Sequence, residues 1–172
     1  MELLELIRNR RSIRQFQSKK IPSDYIEKLK ESLIWAPSAG NLQSRKFYFV
    51  FSDKKKKAIA QAALDQMFIA QAPLVVVGCA DSHISQKYGT RGVQLYSICD
   101  VSLSMAQFML LASSLGLGSV WVGAFQEDRV RQILDIPSYL RPIVLLPVGY
   151  SKENPLPPPR VSLSEAIKEV FS

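Results

Sequence analysis

The chain has 172 residues, 47% of them hydrophobic, and a formal net charge of +7. That length suits one compact domain burying roughly 70% of its unfolded surface, which excludes a disordered or fibrous class. The positive charge is spread over the front of the chain, the run Lys54 to Lys57 and scattered helix faces. It forms no basic stripe interleaved with stacking aromatics, so no nucleic-acid partner is expected; one or two anion sites for phosphorylated, acidic ligands are. The two cysteines, Cys79 and Cys99, lack a Cys-x-x-Cys arrangement, which argues against a disulfide framework and a thiol redox centre. Acids at Glu2 and Glu5 interrupt the apolar pattern of the first residues, so a leader is not expected and the cytoplasm is.

Leu3, Leu4, Leu6 and Ile7 predict a short amphipathic helix that delivers Arg10-Arg11-Ser12-Ile13-Arg14 at its end. A second helix is expected from Ser23 or Asp24, capped by Asp24 with Glu27, and ending before Pro37. Phe47 to Phe51 reads as a buried strand, after which Ser52 and Asp53 open a basic helix to about Leu64 with Lys54 to Lys57 on a solvated face. Leu74 to Ala80, valine-rich and bounded by Pro73 and Asp81, predicts a central strand followed by a loop from Asp81 to Gly92. A long helix, apolar on most faces, should run from about Thr90 to Leu115; Asp100, Gln94 and Gln107 argue against a membrane span, and so much apolar surface calls for a partner subunit. Gly116 and Gly118 end it and lead into a strand from Val120 to Ala124. A helix near Glu127 to Leu134 and a strand from Ile143 to Val148 complete the expected core. Pro155, Pro157, Pro158 and Pro159 favour an extended arm, and Ser162 with Glu165 caps a last short helix carrying Ala166, Ile167, Val170 and Phe171 on its apolar face.

Two segments stand out chemically. Three guanidiniums and a hydroxyl within Arg10 to Arg14 can grip a phosphate through forked, charge-assisted hydrogen bonds. Ala36 to Gln43 is a turn of small and polar residues, with Ala39 and Gly40 permitting close backbone approach. His83 and the two distant cysteines offer no metal-site spacing, and neither a Gly-x-Ser-x-Gly elbow nor a P-loop occurs.

With Gly116 to Phe125 and Pro147-Val148-Gly149-Tyr150, these segments, in this order, resemble the nitroreductase family of flavin mononucleotide (FMN) enzymes over nearly the whole chain. The resemblance implies an α+β nitroreductase-like fold: a mixed central β-sheet flanked by helices in three layers. Residues 1–172 would form one FMN-binding domain, 151–172 being an extended C-terminal arm, in a homodimer with an FMN at each of two interface sites. By the same resemblance Arg10 and Ser12 hold the ribityl phosphate and Arg14 lies along the ring near N1 and O2, where a cation stabilises the charge of reduced flavin. Arg11 either contacts the phosphate or faces solvent. Pro37, Ser38 and Asn41 approach the flavin from the second subunit, Gln43 meets the ring or ribityl chain, and Gln66 meets the pyrimidine edge. The backbone of Gly123 and Ala124 presents an N–H to flavin N5, and Gly149 and Arg160 close the phosphate site.

Two departures accompany the likeness. The family often continues its turn with Pro-Trp, where this chain has Ser44-Arg45, and often offers two late cations, where this chain has a single Arg160. Longer relatives carry a helical excursion where this chain has only Asp81 to Gly92, which implies an open site; Tyr88 and Arg91 there either meet the substrate or remain exposed loop residues. The implied chemistry is ping-pong reduction of a small-molecule acceptor, such as a nitroaromatic or quinone, by NADH or NADPH, with no nucleophilic side chain, no metal and no membrane partner. The rival is a flavin carrier or sensor without turnover, and bleaching of bound flavin by NADH or NADPH separates the two. A third reading, a basic nucleic-acid-binding domain, predicts a colourless protein with salt-sensitive binding.

Overall fold

The valine-rich stretch before Asp81 has no polar face, so it needs strands on both edges and cover on both faces. In the computed structural model, which describes residues 2–171, it forms β2 (Leu74–Asp81), paired with β1 (Arg45–Val50) on one edge and β4 (Leu140–Gly149) on the other; β3 (Gly118–Ser119) completes the order β1-β2-β4-β3. All three ladders are antiparallel. The expected mixed sheet is corrected accordingly: parallel pairing among the described residues is confined to the isolated bridge Ser12–Ser119. The helices α3 (Asp53–Ala62) and α4 (Phe68–Gln71) carry the chain away from the end of β1 and back to it, so β2 must run against β1.

Strand alternation sorts the core into two halves. Val75, Val77, Cys79 and Leu145 face α3, α4 and α7 (Glu127–Leu134), while Leu74, Val76, Val144, Leu146 and Val148 face α2 (Ser23–Ile34) and α6 (Ser97–Ser114). The result is the three-layer α+β architecture. Gly78 sets how closely α6 approaches, since a Cβ there would lie 2.8 Å from Val101 Cγ1 and 2.9 Å from Met105 Cε. Phe108 is fully buried and meets Phe49 edge-on, ring centroids 6.2 Å apart. The run Ser82–Ser114 is long and apolar enough to cross a membrane, yet Val101, Met105, Phe108 and Ala112 are fully buried in the sheet-facing core. It is a core helix.

Several expectations are revised. The segment after β2 is largely helical and not a loop: a short turn at Ser82–Ile84, α5 (Ser85–Arg91), kinked at the non-helical Gly89, and a π-helical turn at Gly92–Tyr96 lead into α6. The strand expected at Val120 to Ala124 reduces to β3 and one bridge, Val122 to Leu145. Phe51 is exposed, lying beyond the end of an edge strand. Lys56 is buried within the lysine run, because its ammonium donates to the Ala72 carbonyl at 2.7 Å and pairs with Asp53 at 2.9 Å. Asp24 caps nothing, since Pro22 takes the N-cap position and puts Asp24 inside the first turn. In the arm, the Ser162–Glu165 capping box forms, but α8 (Leu163–Ala166) ends before Ile167, Val170 and Phe171, which lie exposed beyond it.

Candidate functional site

The arginine motif follows α1 (Leu3–Asn9) and is clamped to the sheet edge. The Ile13 N–H donates to the Ser119 carbonyl at 3.1 Å, Gln17 N–H to Tyr150 at 2.8 Å, and Lys152 N–H to Gln15 at 2.9 Å. Glu153 adds a carboxylate oxygen that accepts from the backbone N–H groups of Arg14 and Gln15. Gly118 makes the clamp possible: a Cβ there would fall 2.5 Å from Ile13 Cγ1.

This clamp leaves a cavity of about 170 Å³ whose lining includes Arg10, Arg11, Ser113, Gly116, Ser119 and Ser151. Arg10 is half-buried there, and its Nη1 is sealed from solvent without a hydrogen-bond partner. Burial first, then the neighbouring Arg160 and Arg11, push the Arg10 guanidinium below the ordinary arginine pKa. An unpaired, desolvated cation among other cations is an arrangement that an anion relieves. Ser12 bridges to Ser119 beside the cavity. Arg11 turns its Nη1 onto the carbonyls of Arg8 (2.6 Å) and Arg10 (3.0 Å), and Arg160 donates to Pro159 at 3.1 Å. Arg14 is exposed. Gly149 does not line the cavity; it is buried in β4 opposite Gly118, where a Cβ would strike Pro73 Cδ at 2.5 Å.

The second segment lies elsewhere. Pro37, Ser38, Asn41 and Gln43 form a tight turn in which Gly40, Asn41 and Gln43 all have positive φ near 55°. Its closure is local and long-range at once: the Gln43 N–H donates to Ser38 Oγ at 3.0 Å, and the Ala39 N–H donates to Asp100 Oδ1 of α6 at 2.9 Å. Arg45 gathers the carbonyls around it, donating to Ala36 at 2.6 Å, Pro37 at 2.9 Å and Ile34 at 3.3 Å. Neither Arg45 nor Asp100 was read from sequence as part of the site. The available signals were a lone acid in an apolar helix and an arginine where an aromatic residue is usual.

Gln66 reaches a third segment, its side-chain amide donating to the carbonyls of Ala63 (2.8 Å) and Ala124 (3.1 Å). Gly123 and Ala124 are exposed, and their N–H groups have no acceptor among the described residues. Tyr88 lies over the Gly40 turn, its hydroxyl 2.4 Å from where a Gly40 Cβ would be, and Arg91 donates to the Tyr96 hydroxyl at 3.0 Å. Within the chain the turn and the cavity occupy opposite ends of α6. Asp100 and Ser113 are separated by about 20 Å at a helical rise of roughly 1.5 Å per residue.

A cavity at an arginine motif, a polar turn and an exposed run of free N–H groups on a three-layer α+β fold are the arrangement of a nitroreductase-like protein. The nitroreductase family model matches residues 7–94 and 66–150, and the chain belongs to that family. A Methanothermobacter thermautotrophicus protein provisionally named NADH dehydrogenase/NAD(P)H nitroreductase is 32% identical over 159 residues, covering 90% of this chain and 80% of its own. The Bacillus subtilis FMN reductase [NAD(P)H] is 26% identical over 174 residues, covering 93% and 70%. The structure of Bacillus megaterium NfrA2 superimposes with a TM-score of 0.91 at 26% identity, covering 100% of this chain and 76% of that one. The protein is an NAD(P)H nitroreductase/FMN reductase family enzyme.

Proposed function

We propose that this chain binds FMN and uses it to pass electrons from NADH or NADPH to a small oxidant such as a nitroaromatic or quinone. The observation that carries the reading is the unpartnered, buried Arg10 Nη1 in a cavity bordered by Arg11 and influenced by Arg160. The donor set suits the FMN phosphate: forked cations at the cavity, with Ser12 held next to it by its backbone bridge to the cavity-lining Ser119. When bound, FMN supplies two-electron redox chemistry between the nicotinamide nucleotide and the acceptor. Arg10 and Ser12 hold the phosphate, with Arg11 and Arg160 adding charge; Arg14 sets a cation along the ring edge; and the free N–H groups of Gly123 and Ala124 donate to ring N5, with Gln66 bracing that loop and meeting the pyrimidine edge. A backbone donor is independent of side-chain titration.

The turn residues Pro37, Ser38, Asn41 and Gln43 complete the site from a second copy of the chain, because within one protomer they stand at the far end of α6 from the cavity. Residues 1–172 act as one FMN-binding domain with 151–172 as an arm, and the two free cysteines suit the reducing cytoplasm. The test is an FMN titration of apoprotein. Arg10→Ala is expected to weaken binding by about 1.5 to 3 kcal/mol, roughly ten- to a hundredfold, and unchanged affinity would contradict the assignment.

A further inference from the structure

The helical segment that replaces the expected loop places charge and aromatic surface at the rim of the proposed flavin site. Gly89 has φ 55° and ψ −149°, a region that only glycine occupies readily, and no atom lies within 4 Å of where its Cβ would be. Glycine is therefore required by the backbone and not by crowding. After this break the π-helical turn at Gly92–Tyr96 puts Tyr96 beside Tyr88, ring centroids 5.3 Å apart at 82°. Turns of this kind concentrate at functional positions. Lys87 Nζ lies 5.4 Å from the Tyr88 ring centre and 3.1 Å from where a Gly40 Cβ would be; the Arg91 guanidinium lies 5.5 Å from the Tyr96 ring centre. Neither cation forms an ion pair among the described residues. Arg91 commits its Nε to Tyr96, leaving its terminal nitrogens for another acceptor.

We infer that Lys87 and Arg91, seated on Tyr88 and Tyr96, form a recognition site for the phosphorylated adenosine half of the reductant and favour NADPH over NADH. The inference rests on the proposed function and adds to it a choice between two nucleotides. Aromatic faces stack an adenine whatever its substituents. The two cations answer the feature that distinguishes NADPH, an extra phosphate dianion on the ribose, which a guanidinium grips through paired hydrogen bonds and an ammonium attracts as a point charge. Tyr88, in contact with the Gly40 turn, ties this site to the flavin rim.

The test uses the FMN-loaded protein and calorimetric titration with adenosine 2′,5′-bisphosphate, AMP and inorganic phosphate. The bisphosphate is expected to bind about tenfold or more tightly than AMP, and that margin to vanish in the double variant Lys87→Gln, Arg91→Gln. Equal affinities, no binding of either nucleotide, or a margin that survives in the variant would overturn the inference. Competition by inorganic phosphate as strong as by the bisphosphate would also overturn it, showing a bare anion patch. In stopped flow, the variant should lose more kcat/KM with NADPH than with NADH. If neither nucleotide reduces the bound flavin of the unmodified protein, the proposed function fails, and the titration still decides the adenosine site.

Discussion

Arg10 and Arg14 look alike in sequence and sit in different settings. Arg10 is half-buried with a sealed, unpaired nitrogen, whereas the Arg14 side chain is exposed and its backbone is held by Glu153. Arg10→Ala is expected to weaken FMN binding with little change in the midpoint potential of what remains bound. On the proposed placement, Arg14→Ala removes a cation from the ring edge, so the reduced flavin is expected to lose stabilisation and the potential to fall. Spectroelectrochemistry of the two variants checks this, and a shift in Arg10→Ala with none in Arg14→Ala would reverse the roles. Arg45 carries a separate expectation. Its fork holds three carbonyls around the turn, so Arg45→Met should cost about 2 kcal/mol in thermal unfolding and weaken FMN retention. Arg45→Lys should restore little, because a single ammonium cannot span those acceptors. The arginine motif and the turn were legible in sequence because their residue types are the chemistry itself. Arg45, Asp100 and Lys56 were not, since each acts on a backbone group brought near only by folding.

At the scale of elements, the clamp between β3 and the arginine motif is the most exposed to a single methyl group. Gly118→Ala puts a Cβ 2.5 Å from Ile13 Cγ1 and 2.8 Å from Ile13 Cβ, atoms too close to the backbone to swing aside. The expected cost is about 1 to 3 kcal/mol in denaturant unfolding, with FMN affinity falling alongside as Ser12 moves. The α7 helix is tied to β4 by a two-pronged pair in which Arg141 donates to Glu127 at 2.8 and 2.9 Å. The hydrogen bond from Arg141 holds the Glu127 carboxyl below its ordinary value of 4.5. A depressed carboxyl stabilises the fold above its unfolded value and loses that contribution as pH falls through the folded one. Arg141→Met should therefore lower stability at pH 7 by about 0.5 to 1 kcal/mol, with the difference closing in acid, as thermal melts across pH would record. The central strand could be read from composition because burial on both faces leaves only apolar residues, and α6 from its long apolar run, though Leu103, Ala106 and Gln107 lie exposed on one side. The helix after β2 could not: Gly89 and Gly92 carry poor helix propensity, and packing of Gly92 against Ile84 and Tyr88 overrides it.

At the scale of the molecule, the arm beyond Pro155 is exposed along its length. Leu156, Leu163, Val170 and Phe171 are each more than three-quarters exposed, and Leu3, Leu4 and Ile7 of α1 and Leu103 of α6 are also open. Apolar surface of this extent fits a dimer interface wrapped by exchanged arms. Truncation from Pro155 should weaken dimerisation and FMN retention together, as sedimentation and flavin content would show; a monomer retaining stoichiometric FMN would contradict the shared site. The arm's extended course and capping box were readable from its prolines and from Ser162 with Glu165, while a docking surface for it was not, because a partner surface leaves no mark in the arm's own residue pattern. The most direct measurement is anaerobic titration of the FMN-loaded protein with NADH and NADPH, followed by visible absorbance. The account predicts bleaching of the flavin band at one equivalent of nucleotide per site and its return when a quinone or nitroaromatic is added. A flavin that neither nucleotide bleaches, or a protein that takes up no FMN, would contradict it.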